Sequence, residues 1–214
     1  MFNSRKSQLV APEQTLPGRS ERNFPLAEKH RVLDAPLVTD EVPDGFEVAF
    51  FGLGCFWGAE EIYWQVPGVW STSVGYAGGT TPHPSYDEVC SGRTNHTEAV
   101  RIVFDPSKVS FADLVKTFFE VHDPTQGFRQ GNDVGTQYRS AIYFTSPEQE
   151  QVARDLTKTY GDELKRRRLG DITTEIRQAP TYYYAEDHHQ QYLAKNPFGY
   201  RCHANTGVKF PSTP

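Results

Sequence analysis

"EVAFFGLG", residues 47–54, is a short, almost wholly apolar run that stops on a glycine, and "CFWGAEEIYWQV", residues 55–66, follows at once with a different period. The first reads as a buried strand. In the second, Ala59, Ile62, Tyr63 and Val66 recur at helical spacing until Pro67 and Gly68 stop them. Cys55 therefore stands at a strand–helix junction, between a glycine and two large aromatics, Phe56 and Trp57. Backbone N–H groups at a helix start lack partners and carry partial positive charge. A thiolate placed there is stabilised, so the thiol pKa is expected to fall. Gly54 and Gly58 let backbone approach closely on both sides, and Phe56 and Trp57 supply apolar walls. The plainer alternative is a core cysteine packed as a small hydrophobe.

Working outward, "VWSTSVGYAGG" (69–79) reads as a strand ending in glycines. "TEAVRIVFDP" (97–106) alternates strictly, with Glu98, Val100, Ile102 and Phe104 on one face. "SFADLVKTFFEVHDP" (110–124) is the clearest helix: Ser110 caps it, and Phe111, Leu114, Val115, Phe118 and Phe119 form its apolar stripe. "YRSAIYF" (138–144) is a strand. The order over 47–144 is β-α-β-β-α-β, the pattern of a ferredoxin-like unit. A surface helix over 146–168, a strand over 171–178 and a short helix over 185–196 are additions; "PHPSYDEVCSG" (82–92) and "DPTQGFRQGNDVGTQ" (123–137) read as loops. The chain divides into an extended arm (1–45) that wraps the surface or stays mobile, an α+β domain (46–197) and a tail (198–214).

Composition narrows the function. With 214 residues, 37% hydrophobic, the chain suits one domain with a real core. A net charge of −5 leaves no basic face for nucleic acid, and "KRRRLG" (165–170) reads as a solvated helix end. No apolar run reaches the roughly 18 residues a membrane span needs, and no signal peptide is visible. Three widely spaced cysteines, Cys55, Cys90 and Cys202, make neither a disulfide framework nor a zinc finger. Cys202, His203, His96 and the His188–His189 pair lack ligand spacing, so no metal is expected. A reducing, cytoplasmic setting fits.

Glu98 opens a strand whose same-side neighbours are apolar, which raises a carboxyl pKa and suits a general acid near neutral pH. A strand-end glutamate turned to water is the alternative. Tyr86, Asp133 and Tyr138 lie in glycine-bearing polar loops, where tyrosine hydroxyls can hydrogen-bond a substrate oxygen or simply face solvent. His188, His189 and Gln191 sit on a helical stretch close to three consecutive tyrosines, 182–184.

Taken together, "GCFWGAEEIYWQVPGV", "GYAGG", "PSYDEVCSGRTNHTEAVRIVFDP", "HDPTQGFRQGNDVGTQYRSAIY" and "YYYAEDHHQQYLAKNP" resemble the A class of peptide methionine sulfoxide reductase over about residues 47–197. The resemblance implies an α+β two-layer sandwich and selectivity for the S epimer of the sulfoxide. It makes Cys55 the nucleophile, and Phe56 and Trp57 the pocket for the substrate methyl group. Glu98 becomes the acid that protonates the sulfoxide oxygen. Tyr86 and Tyr138 hydrogen-bond that oxygen, and Asp133 orients substrate and water. It implies a sulfenic acid on Cys55, resolved by Cys202 as a disulfide. Many members of the family carry a second tail cysteine; here none follows Cys202. The reductant is then expected to open Cys55–Cys202 directly, whether thioredoxin, a glutaredoxin-like protein or a mycothiol-linked partner. Substrates are oxidised proteins and free methionine sulfoxide, with no cofactor, and nothing demands more than a monomer. Cys90 is expected to be a partly buried structural thiol. Two other classes compete: a cysteine hydrolase pairing Cys55 with a histidine such as His188, and a binding module that holds oxidised methionine without turnover.

Overall fold

The apolar run of residues 47–54 is β1 (Glu47–Leu53), and it passes through Gly54 and Cys55 into α1 (Phe56–Trp64) in the computed structural model, which describes residues 5–39, 41–202 and 204–211. Then come β2 (Val69–Ala77), the short α2 (Tyr86–Cys90), β3 (Thr97–Phe104) and α3 (Phe111–Val121). A small hairpin of β4 (Arg129–Gln130) and β5 (Asp133–Val134) leads through a 3-10 turn, Thr136–Tyr138, to β6 (Ser140–Phe144). The long α4 (Pro147–Arg166), β7 (Glu175–Gln178), β8 (Tyr182–Tyr184) and α5 (Tyr192–Lys195) complete the chain.

The main sheet has the order β7-β6-β1-β3-β2-β8. Its central four strands, β6-β1-β3-β2, pair antiparallel throughout, the ferredoxin-like arrangement read from the element order. β7 extends one edge in parallel with β6, and β8 extends the other antiparallel to β2. The helices lie on one face and bury a single core: Phe51, Val100, Ile102 and Phe104 from the strands meet Phe56 and Tyr63 of α1 and Phe118 and Phe119 of α3. Phe51, Val100, Ile102, Phe104, Phe118 and Phe119 are wholly inaccessible. Each such side chain contributes roughly 1.5–3 kcal/mol.

Four segments depart from the sequence reading, the first being residues 123–137, which carry the β4–β5 hairpin where a loop was expected. "PSYDEVCSG" is not a loop: Ser85 accepts from the Glu88 amide while Glu88 accepts from the Ser85 amide, a capping box that starts α2. The stretch over 185–196 is broken, because Gln191 takes a left-handed conformation, φ 45°, between a 3-10 turn (Asp187–His189) and α5. β8 went unread because its three tyrosines lack an alternating partner pattern. The basic run ends α4 as expected, with Arg166 and Arg167 both paired to Glu163.

The arm lies against the domain. Leu37, Ala35, His30 and Thr39 are buried, and Ser71 donates to the Pro36 carbonyl. Buried Arg101, on the face of β3 opposite Glu98, donates to both the hydroxyl and the carbonyl of Thr39. At the other end, Tyr160 donates to the Val208 carbonyl, and Phe210 stacks on Tyr160 with ring centres 5.6 Å apart.

Candidate active site

Gly54 has φ +93°, and a β-carbon there would stand 2.7 Å from Cγ of Gln130. Only glycine lets the chain turn at the end of β1 and hand Cys55 to the position just before the helix. Cys55 is the N-cap, but its side chain makes no capping hydrogen bond. Glu98 does that work instead. It opposes Tyr76 in the β2–β3 register, projects to the helix side, and its Oε2 accepts from the Phe56 amide at 2.9 Å. The carboxyl is 1% exposed. Burial pushes its pKa up to about 8; the Phe56 N–H opposes this, and the nearby charge of Asp133 adds to it. A carboxylic acid that keeps its proton at neutral pH thus lies one residue from the thiol.

The thiol itself departs from the expectation that a helix start lowers its pKa. The amides of Trp57 and Gly58 act on the sulfur in the expected direction. Burial, then the like charges of Glu98 and Asp133, outweigh them, and the Cys55 thiol is pushed well above its usual range. Helix-end charge is worth about 0.3–1 kcal/mol in exposed positions, whereas desolvating a thiolate costs several times that.

Phe56 and Trp57 build an aromatic cup with residues far along the chain. Phe56 is 1% exposed and packs against Tyr76 and the ring of His189. Trp57 stacks on Tyr192 with centroids 3.9 Å apart and planes at 15°. Its Nε1–H donates to His189 Nδ1 at 3.1 Å. Indole nitrogen is only a donor, so His189 Nδ1 is an acceptor and its proton resides on Nε2. Burial lowers the His189 pKa to about 3, so the ring is neutral. Its Nε2 faces Glu186 Oε2 at 4.0 Å. Glu186 itself accepts from the Tyr86 amide and the Tyr76 hydroxyl. Tyr86 closes the cup 4.4 Å from His189.

Tyr86 begins α2, Asp133 begins β5, and Tyr138 ends the turn before β6. Burial, and after it the nearby Glu98 charge, raises both tyrosine pKa values, so both hydroxyls stay protonated. Asp133 is held above its usual range by burial and accepts from the Tyr200 hydroxyl at 3.2 Å. Cys202 lies just behind: its sulfur donates to the Gln130 carbonyl at 3.5 Å, and a β-carbon on Gly131 would stand 3.2 Å from it. Gln130 packs on Gly54 from the other side, so the 130–131 turn separates the two cysteine segments. Arg201 anchors the tail to α1 through both oxygens of Glu61, at 2.6 and 2.7 Å.

The eight residues named from sequence therefore come from one neighbourhood. Cys90, half-buried at the end of α2 with its thiol pushed up to about 11 by burial, interacts with Tyr86 one turn away. Sequence reasoning missed His189, Tyr192 and Tyr200 as site residues, although the tyrosine-rich segment before the tail was the available signal. Cys55 makes no hydrogen bond to a histidine among the described residues, so the hydrolase pairing has no geometric support. No cluster of three potential metal ligands stands among the described residues, and His203 lies outside them. No helix among them is long and apolar enough to cross a membrane.

Comparison with known proteins places this geometry. Residues 47–213 match the family model described as peptide methionine sulfoxide reductase. A relative from Rhodospirillum centenum, "Peptide methionine sulfoxide reductase MsrA", is 55% identical over 99% of this chain and 95% of its own length. One from Salinispora arenicola with the same name is 55% identical over 96% and 94%. The structure of methionine sulfoxide reductase A of Corynebacterium diphtheriae superposes with a TM-score of 0.85 at 49% identity, covering 96% of this chain and all of that one. Reduced Mxr1 from Saccharomyces cerevisiae superposes at 0.71 with 32% identity, over 76% and 92%. The yeast protein is also known in complex with Trx2, a match of 19% identity and TM-score 0.51 over 72% and 90% that speaks to fold alone. With the family model covering most of the chain and relatives matching nearly all of it, the chain belongs to the peptide methionine sulfoxide reductase family of enzymes, in the group named MsrA.

Proposed function

We propose that this chain reduces methionine-S-sulfoxide, in proteins and as the free amino acid, with Cys55 as nucleophile, Glu98 as general acid and Cys202 as resolving thiol. The observation that carries the reading is the Glu98 carboxyl: buried, hydrogen-bonded to the amide next to Cys55, and protonated up to about pH 8. A sulfoxide sulfur becomes electrophilic as its oxygen gains a proton. Glu98 gives that proton as the Cys55 sulfur adds to the substrate sulfur; the hydroxyl then passes from the substrate sulfur to Cys55 while the transient S–S bond breaks, its electron pair staying on the substrate sulfur. The products are methionine and a sulfenic acid on Cys55. The thiol proton replaces the one Glu98 gave up, so the step balances with no other reactant. One positioned acid supplies about 10²–10⁴ in rate. The hydroxyls of Tyr86 and Tyr138 stabilise charge growing on the oxygen, like an oxyanion hole.

The cup supplies stereochemistry. The methyl group rests on Phe56 and Trp57, the oxygen points at Glu98, and the remaining chain leaves toward solvent. Three fixed directions around sulfur admit one epimer. Asp133, braced by Tyr200, orients substrate and water.

Cys202 then attacks the sulfenic acid, forming the Cys55–Cys202 disulfide and releasing water. A thioredoxin-type dithiol opens that bond; Mxr1, the yeast relative 32% identical to this chain, is known in complex with Trx2, which favours this class of reductant. The site is assembled from one chain, which suits a monomer working in the reducing cytoplasm. Dithiothreitol-driven reduction of a methyl sulfoxide tests the whole reading. Turnover of the S epimer alone, abolished by Cys55→Ser, is expected; turnover that survives Cys55→Ser refutes it.

A further inference from the structure

The arm enters the site's support through one buried histidine. His30 sits in a tight turn closed by its own amide donating to Ala35 O at 2.9 Å, and it is 4% exposed. Its Nδ1 accepts from the amides of Val32 (3.0 Å) and Leu33 (2.9 Å). Burial keeps the ring neutral, with its pKa near 4, so the single ring proton is on Nε2. That N–H donates to Thr72 Oγ1 on β2 at 2.8 Å. The Thr72 hydroxyl passes its own hydrogen to Glu60 Oε1 at 3.0 Å. Glu60, fully buried on α1, accepts twice more from one residue: the Gln191 amide at 2.7 Å and the Gln191 Nε2 at 2.7 Å. The arm also touches Gln191 directly, through the Arg31 amide to Gln191 Oε1 at 3.2 Å.

Gln191 is the left-handed residue that breaks the 185–196 stretch. A non-glycine residue adopts that conformation only when its surroundings hold it. The chain that holds it here runs His30, Thr72, Glu60. Two residues before Gln191 is His189, which takes the Trp57 indole N–H; one residue after is Tyr192, which lies flat on the indole. The turn at Gln191 sets the spacing of the two groups that grip Trp57.

We propose that His30 is a positioning residue for the sulfoxide site: through Thr72, Glu60 and Gln191, the arm fixes His189 and Tyr192 and so fixes the Trp57 wall that receives the substrate methyl group. This rests on the reading of Trp57 given under Proposed function. The arm is then part of the working enzyme rather than a decoration of its surface.

Two substitutions separate the relay from the turn it sits in. His30→Asn places an acceptor where Nδ1 is, keeping the Val32 and Leu33 amides partnered, and removes the donor to Thr72. His30→Gln places a donor near the Nε2 position and gives up the Nδ1 acceptor. A loosened Trp57 has to be reordered on each binding event, so His30→Asn is expected to raise KM for the sulfoxide about tenfold with kcat nearly unchanged. His30→Gln is expected to restore KM to near the parent value. Thr72→Val cuts the relay at its middle, gives the same KM rise, and carries the test if His30→Asn folds poorly. Unchanged KM in His30→Asn and Thr72→Val overturns the proposal, as does His30→Gln being worse than His30→Asn. Trp57→Ala is the control. If it raises KM while the relay variants do not, the relay alone fails; if it too leaves KM unchanged, the reading of the methyl wall fails with it.

Discussion

Replacing Glu98 by Gln is expected to make the protein more stable and far less active. The carboxyl titrates near 4.5 when exposed and near 8 in the fold, because burial penalises its charge. Between those values the folded protein holds a proton that the unfolded chain has lost, so stability falls as pH rises through that window. The penalty is absent below about pH 4.5 and complete above about pH 8. At about 1.36 kcal/mol per pH unit its full size is on the order of 5 kcal/mol, and about 3 kcal/mol is present at pH 7. The glutamine side chain is never charged and still offers an amide oxygen to the Phe56 N–H, so the Glu98→Gln variant carries none of this cost. Denaturant unfolding of the reduced proteins, followed by fluorescence at several values between about pH 5 and pH 8, reads the difference. The curves of Glu98→Gln and parent are expected to differ by about 1 kcal/mol near pH 5 and by about 3 kcal/mol at pH 7, while reduction of the sulfoxide slows about 10²–10⁴-fold. Two unfolding free energies that run parallel across the window would refute the placement of a protonated acid at this site.

Other outcomes are expected from the same geometry. Cys202→Ser should complete one turnover and then stall with thioredoxin as the reductant, while free dithiothreitol still drives cycling; quantifying methionine per enzyme in each assay checks it, and sustained thioredoxin-driven turnover removes Cys202 from the resolving role. Tyr86→Phe and Tyr138→Phe should each slow the chemical step about tenfold or more, and the double variant should lose less than the product, because both donors serve one oxygen. Single-turnover rates of the four proteins decide this, and strictly multiplicative losses count against a shared oxygen.

How much of this could be read from the chain follows from the range of the forces involved. The strand–helix junction at Cys55 was legible because local period and glycine placement decide it. The inward aim of Glu98 was legible because strand alternation fixes a side chain's face from its neighbours Val100, Ile102 and Phe104. The α2 capping box was written in Ser85 and Glu88 but lay in a segment rich in turn residues, where prolines and glycine dominate the reading. The partners of Trp57 were not legible. His189 is 132 residues away, and the left-handed turn at Gln191 that brings it into place depends on Glu60 of α1 and on the arm. No local pattern announces a conformation that only tertiary hydrogen bonds maintain.

The thiol is where a local rule gave the wrong sign, and the reason bears on how the enzyme works. Two amides at the start of α1 favour a Cys55 thiolate, but the same N-terminus also serves Glu98 through the Phe56 N–H. Helix-end charge is divided between two groups whose anions repel each other, one of them, Glu98, wholly buried and the other, Cys55, partly accessible. Once the pair has lost one proton, the remaining one resides on either sulfur or carboxyl, so the pair titrates as a unit. The reactive arrangement, thiolate beside carboxylic acid, is a minor tautomer until a sulfoxide oxygen accepts the acid's hydrogen bond and favours it. Free enzyme should therefore alkylate slowly at neutral pH. Glu98→Gln, which removes the competing charge and leaves the amides in place, should shift the pH profile of Cys55 alkylation downward. Iodoacetamide rates from about pH 6 to pH 10, in protein whose Cys90 and Cys202 are replaced by Ser, measure both profiles. If Glu98→Gln leaves the profile where it was, the carboxyl and the thiol do not share a field, and Glu98 is not the acid that serves Cys55.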